Sequence, residues 1–167
     1  VSDGDPDAVA FTWEHDNRGA VATHFVVGRT KTNGDDSKDG KVLQCMDLKY
    51  WAYHVKTTRM GFSQGHDNKT NQAYVGIELC SWGCLKKVGG EFYDISGTVK
   101  IPNDQVCILD KPFRTYKYWH KFTPAQIMKT FKLLQYLGEE LGIDWTDLTN
   151  EPEEVNADWL EMDWDAM

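Results

Sequence analysis

Apolar residues occur along this chain mostly in short, dense runs between long polar stretches, and a sustained helical rhythm is clear only once. Ile127, Phe131, Leu134, Leu137 and Leu141 follow one another at three- to four-residue steps. The T-P-A-Q at 123–126 reads as a capping box with proline at the first helical position, and Gly142 supplies the stop. This pattern predicts an amphipathic helix whose apolar face packs on a sheet. A second helix is expected near the start, with Asp5 as N-cap, Pro6 at its first position, Val9 and Trp13 on one face, an end near Asn17 and Gly19 beyond it. Between the two, β-prone runs predict strands at 21–29, 41–46 and 74–79. The last of these, with Tyr74, Val75, Ile77 and Leu79, reads as a buried central strand. The polar segment 30–40 is expected to be a hairpin loop and 56–70 a mobile loop. Residues 91–101 read as a hairpin turning at Ser96-Gly97, 106–120 as a loop packed on the body, and 153–160 as one short helix. No internal repeat is visible.

Glu78 interrupts this pattern. It sits inside the 74–79 run, and a carboxylate is rarely buried without a partner, because losing water costs several kcal/mol. Either the strand lies at an edge with Glu78 facing solvent, or the carboxylate is aimed into a cleft and poised for acid–base work. His24, in the 21–29 run, has two readings of the same kind: a core histidine bonded to backbone, or a group lining a cleft. Tyr50, Trp51 and Tyr53 beside His54 suit either a sugar- or peptide-binding cleft, where rings stack on flat apolar faces, or local core packing.

Composition narrows the field. A chain of 167 residues with 41% hydrophobic and 13% aromatic content fits one folded domain with a real core. No apolar run approaches a membrane span, and no signal peptide stands at Val1. Of 26 acidic residues nine fall in 144–167, which has no Lys or Arg, leaving 17 against 18 basic ones elsewhere and an overall charge of −8. That distribution argues against a nucleic-acid partner. The segment 106–120 mixes Phe113, Tyr116, Tyr118 and Trp119 with Lys111, Arg114 and Lys117, a combination that also suits an anionic glycan–peptide polymer. Cys80 and Cys84 have a spacing found in metal sites, but no second close Cys or His pair accompanies them. Free thiols acting as small apolar groups are expected, Cys45 and Cys107 included.

Five blocks, in order, carry a resemblance: A-T-H-F-V-V-G-R at 22–29, D-G-K-V-L-Q at 39–44, W-A-Y-H-V at 51–55, N-Q-A-Y-V-G-I-E-L at 71–79 and F-T-P-A-Q-I at 122–127. Together they resemble the zinc-dependent N-acetylmuramoyl-L-alanine amidases of the phage-lysozyme and peptidoglycan-recognition-protein type. The resemblance implies an α/β fold with a central mixed sheet flanked by helices. It implies an amidase-like core at 1–143, with the acidic segment 144–167 as an insertion or extension of the same domain. It implies cleavage of the amide between N-acetylmuramic acid and the first L-alanine of the stem peptide by a zinc-activated water, in an endolysin or a wall-remodelling enzyme acting at the cell wall or periplasm. Glu78 matches the catalytic glutamate. His24, His54, Trp51, Asn71 and Trp82 match cleft positions that bind substrate, with Asn71 shaping the turn before the strand.

The same resemblance implies a zinc ion held by two histidines and an Asp or Cys. The five histidines here, His15, His24, His54, His66 and His120, do not fall at those places, so the ligands are expected outside the chain as given, and no metal ligand is assigned within it. A fold short of the family's first strand would leave a strand edge bare and fold poorly on its own. The alternative is a metal-free module that binds peptidoglycan or serves a structural role.

Overall fold

Asp5 and Pro6 begin the first helix as their chemistry dictates. The Asp5 side chain accepts a hydrogen bond from the Asp7 N–H at 3.0 Å, Pro6 needs no N–H partner, and α1 runs Pro6–Glu14 to a cap at His15. The structure, a computed structural model, describes residues 3–17, 21–54 and 64–142. The expected stop at Gly19 and the helix expected at 153–160 lie outside them.

Three short strands form the first sheet: β1 (Phe25–Val27), β2 (Val42–Gln44) and, after the helix α2 (Gln64–Ala73), β3 (Ile77–Leu79). Their order is β2-β1-β3, with β2 antiparallel and β3 parallel to β1, so the sheet is mixed. Phe25, Val26 and Val27 are all buried, which makes β1 the central strand. β3 is half-buried and, among the described residues, lies at an edge. The strand expected over 74–79 is therefore shorter and less central than its composition implies, and Tyr74 is 65% exposed. The strands expected over 21–29 and 41–46 are likewise only three residues long.

A second sheet follows that the apolar pattern does not announce. β4 (Cys84–Val88), β5 (Glu91–Asp94), β6 (Lys100–Ile101), β7 (Val106–Phe113) and β8 (Tyr116–His120) form an antiparallel sheet of order β6-β5-β4-β8-β7. The hairpin expected over 91–101 is present. Its turn is held by the Asp94 carboxylate, which accepts from the N–H groups of Ser96, Gly97, Thr98 and Val99 and from the Ser96 hydroxyl. The segment 106–120, expected to be a loop, is instead the β7–β8 hairpin. Arg114 and Thr115 take φ of 48° and 74° at its turn, and neither residue type signals such a turn in a sequence. Leu85, Phe92, Ile101 and Val106 close one face of this sheet, with Trp82, Val99 and Tyr118 packed against them.

The loop expected over 56–70 lies outside the described residues over 56–63 and is corrected from Gln64 on, since α2 occupies Gln64–Ala73. Its sequence is polar throughout and so lacks the apolar period by which a helix is recognised.

α3 (Pro124–Leu141) starts with the expected box. The Gln126 N–H donates to Thr123 Oγ1 at 3.1 Å, and the Thr123 N–H donates to Gln126 Oε1 at 3.2 Å. Its burial follows the expected stripe only in part, at Phe131, Leu134 and Leu137. Gln126, Leu133 and Leu137 are buried, whereas Ile127 and Leu141 are 40% and 45% exposed. Gln126 can sit inside because its Nε2 donates to the carbonyls of Val27 at 3.2 Å and Cys80 at 3.0 Å, tying the first turn of α3 to the first sheet. By compactness the chain divides into units Val1–Thr130 and Phe131–Met167. Both sheets belong to the first, and of the second only 131–142 are described. The four cysteines are free thiols.

Candidate active site

Glu78 is the middle residue of β3, in register with Val26 of the buried central strand. Side chains opposite one another in a ladder share a face, so the Glu78 carboxyl stands beside a fully apolar neighbour. Among the described residues no hydrogen bond or ion pair reaches it. Burial pushes its pKa above the ordinary glutamic acid value of 4.5, because the charged form loses solvation, and the positive charge of the chain's N-terminus offsets only part of that.

At the N-terminal end of β3 the chain gathers four of the expected site residues. His24 is 2% exposed and has both ring nitrogens engaged: Nε2–H donates to the Tyr50 carbonyl at 3.0 Å, and Nδ1 accepts from the Gly76 N–H at 3.0 Å. These bonds set its tautomer and tie the start of β3 to the aromatic segment. His54 lies edge-on to it, with ring centroids 6.1 Å apart. The His54 Nδ1–H donates to the Ala52 carbonyl at 2.9 Å, while its buried Nε2 has no partner among the described residues. The His54 ring thus presents a lone pair held in a set direction. Asn71, fully buried, accepts from the His54 N–H at 2.9 Å through its side-chain oxygen, which holds the segment in place from α2. Trp51 packs edge-on against Tyr53 at 5.2 Å, and both rings remain more than a third exposed.

Gly76 is where this cluster meets the strand. A Cβ there would lie 2.8 Å from His54 Cγ and 3.0 Å from Cδ2, so only glycine lets the ring close over the backbone. Gly76→Ala is expected to cost about 1–3 kcal/mol of stability and to displace the His54 ring. A melt paired with an activity assay checks this, and a variant as stable and active as the parent would show that the ring moves freely.

Trp82 stands apart from this group. It lies past the other end of β3, where its N–H donates to His120 Nδ1 at 3.0 Å and its indole donates to Asp3 Oδ1 at 3.3 Å. Six residues of near-extended chain, about 20 Å, separate Gly76 from Trp82. Trp82 belongs to a buried network that the sequence does not display. Arg29, 1% exposed, donates to His120 Nδ1, to Gln105 Oε1 at 3.1 Å and to the carbonyls of Lys121 and Thr30 at 2.9 Å. The His120 Nε2–H donates to the same Gln105 oxygen at 3.0 Å. Burial and the adjacent guanidinium pull the His120 pKa down to about 3, so the ring is neutral under ordinary conditions.

A separate cleft of about 690 Å³ between α1 and β2, lined by Phe11, Trp13, Val21, Leu43 and Cys45 among others, does not include Glu78. Among the described residues no three His, Cys, Asp or Glu side chains converge as a metal site. Cys80 is buried in the core and Cys84 half-buried.

The carboxyl of raised pKa thus lies two residues along the chain from Gly76, against which the oriented His54 ring packs, and the Trp51 and Tyr53 rings are exposed on the same segment as His54. Comparison with known proteins supplies the family. No curated protein and no solved structure matches the chain. The family model of N-acetylmuramoyl-L-alanine amidase matches residues 3–153, nearly the whole length. The chain therefore belongs to the N-acetylmuramoyl-L-alanine amidase family, enzymes that act on peptidoglycan.

Proposed function

We propose that this chain hydrolyses the amide between the lactyl group of N-acetylmuramic acid and the first L-alanine of the stem peptide, with Glu78 as the proton carrier. The observation that carries the reading is Glu78 itself: a half-buried carboxyl of raised pKa on β3, without a hydrogen bond or ion pair among the described residues, in a chain of this family. In the deprotonated state Glu78 accepts a proton from the attacking water as its oxygen adds to the amide carbonyl. As the C–N bond breaks, Glu78 returns that proton to the departing L-alanine nitrogen, leaving a lactyl carboxylic acid and a free amine, and the acid's remaining proton then passes to the amine to give carboxylate and ammonium. His54 Nε2 accepts a hydrogen bond from a substrate N–H or from the water. His24 and Asn71 position it, the first through Gly76 and the second through the His54 backbone. Trp51 and Tyr53 offer ring faces to the sugar or peptide. Trp82, at the far end of β3, contacts substrate only if the bound polymer spans the length of the strand.

The residues described do not by themselves fit the zinc ion that the family resemblance implies, since no three ligands converge among them and both His24 nitrogens are committed. We place the ligands outside the described residues and assign no step of this chain's own groups to the metal. Action is at the cell wall, outside the cytoplasm, in an endolysin or a wall-remodelling enzyme. Among the described residues no helix is long and apolar enough to cross a membrane.

The test is the release of new L-alanine amino termini from purified peptidoglycan, with and without a chelator. Release that stops with chelator and returns with zinc supports the whole reading. Wall binding with no release under any metal condition overturns it in favour of a metal-free binding module.

A further inference from the structure

We propose that the outer face of the five-stranded sheet, centred on Trp119 and the β7–β8 turn, is a second binding surface for the polymer: a glycan strand carrying anionic stem peptides. The proposal rests on the peptidoglycan reading above and places a contact away from Glu78.

One face of the sheet is closed by its own core around Leu85, Phe92, Ile101 and Val106. Alternation turns their strand neighbours the other way. Trp119 lies in the middle of that other face, paired with Cys84 of β4 on one side and Cys107 of β7 on the other. Its indole is held, since Nε1–H donates to the Tyr116 carbonyl at 3.1 Å. Phe113 and Tyr116 flank it with ring centroids at 5.7 and 6.2 Å, and the Arg114 guanidinium sits 5.3 Å from the Phe113 centroid. A fixed ring platform of this kind suits the flat C–H faces of pyranose rings.

Charge selects the occupant. Residues 82–121 carry seven Lys and Arg against four Asp and Glu, in a chain whose net charge is −8. Lys111, Arg114 and Lys117 are exposed, and among the described residues none of them pairs with a carboxylate. Unneutralised cations interleaved with aromatic rings complement a polymer in which sugar rings alternate with carboxylate-bearing peptides. The turn at Arg114-Thr115, with both φ positive, projects these groups at the sheet's edge.

The experiment is co-sedimentation of the full chain with purified sacculi, compared with turnover of a short soluble muropeptide, for Trp119→Ala and for the double change Arg114→Glu/Lys117→Glu. The double change touches only exposed side chains, so it reports even if Trp119→Ala fails to fold. Each variant is expected to weaken sacculus binding by about tenfold, and the double change to flatten its salt dependence. The loss on the polymer should exceed any loss on the short muropeptide. A folded double variant that binds sacculi like the parent overturns the proposal, as do equal losses on both substrates. Preference of the parent for phosphatidylglycerol vesicles over sacculi overturns it as well. Sedimentation needs no turnover, so the two readings fail separately. Surface-dependent binding without amide cleavage sinks the amidase assignment alone, and normal cleavage with binding indifferent to these changes sinks the surface alone.

Discussion

Glu78→Gln is expected to lower turnover of peptidoglycan by about 10²–10⁴-fold while leaving wall binding intact, and to raise the melting temperature at neutral pH. The two effects have one origin. Glutamine keeps the shape of the side chain and cannot carry the proton, so the step in which water is deprotonated and the amine protonated loses its carrier. The stability gain follows from the direction of the pKa shift. Burial raises the folded-state value of Glu78 above its ordinary 4.5. Below that ordinary value the carboxyl is protonated in both folded and unfolded chains and costs nothing. As pH rises through the raised folded value, the unfolded chain ionises more readily and stability is lost. A neutral glutamine escapes that loss. The gain should therefore be present at neutral pH, fade as pH falls through the raised folded value, and be absent below the ordinary 4.5. Melting both proteins across this range checks it. A variant that melts below the parent at neutral pH would falsify the claim that burial costs the Glu78 carboxylate more than its surroundings return, and a variant that keeps full turnover would remove Glu78 from the chemistry.

The second large effect concerns the buried network beside Trp82. Arg29→Met is expected to destabilise the protein by about 1–3 kcal/mol for each buried acceptor it leaves unsatisfied. The guanidinium satisfies His120, Gln105 and two backbone carbonyls at once, and methionine fills the space without replacing any donor. Arg29→Lys should not rescue it, because an ammonium cannot reproduce the planar fork. The pH profile gives an independent reading. His120 has a folded value of about 3 against an ordinary 6.5, so its contribution is present above 6.5 and is lost as pH falls toward 3. The unfolded chain takes up the proton first, and the shift corresponds to at most roughly 5 kcal/mol. Part of the depression comes from the Arg29 charge. Without it, the decline in stability between about pH 6.5 and 4 should be shallower than in the parent. Urea titrations at several pH values measure both quantities. An Arg29→Met protein with parental stability and slope would show that the network is an incidental contact.

These expectations draw on different levels of the molecule. Local chemistry was legible in the chain alone wherever a few adjacent residues decide the outcome. Asp5-Pro6 starts a helix because a carboxylate accepts an N-terminal N–H and proline lacks one. Thr123 and Gln126 close a capping box for the same reason. Glu78 stood out as a carboxyl among β-prone neighbours, and the order of five short blocks pointed to the family that the comparison bears out. Elements without an apolar period were not legible. The polar α2 and the β7–β8 hairpin, turning on Arg114-Thr115, follow from contacts made after the chain has folded.

The site divides along the same line. Sequence determined which side chains are available: two histidines, a glutamate, an asparagine and a set of aromatic rings. Tertiary structure decided what each is free to do. It commits both nitrogens of His24 to backbone groups, leaves Nε2 of His54 without a partner among the described residues, and seats Trp82 with Arg29 and His120 instead of with the histidine pair. Such distinctions cannot be read along a chain, because hydrogen-bond satisfaction and desolvation depend on partners as far apart as Arg29 and His120, whose meeting only the packed sheets determine.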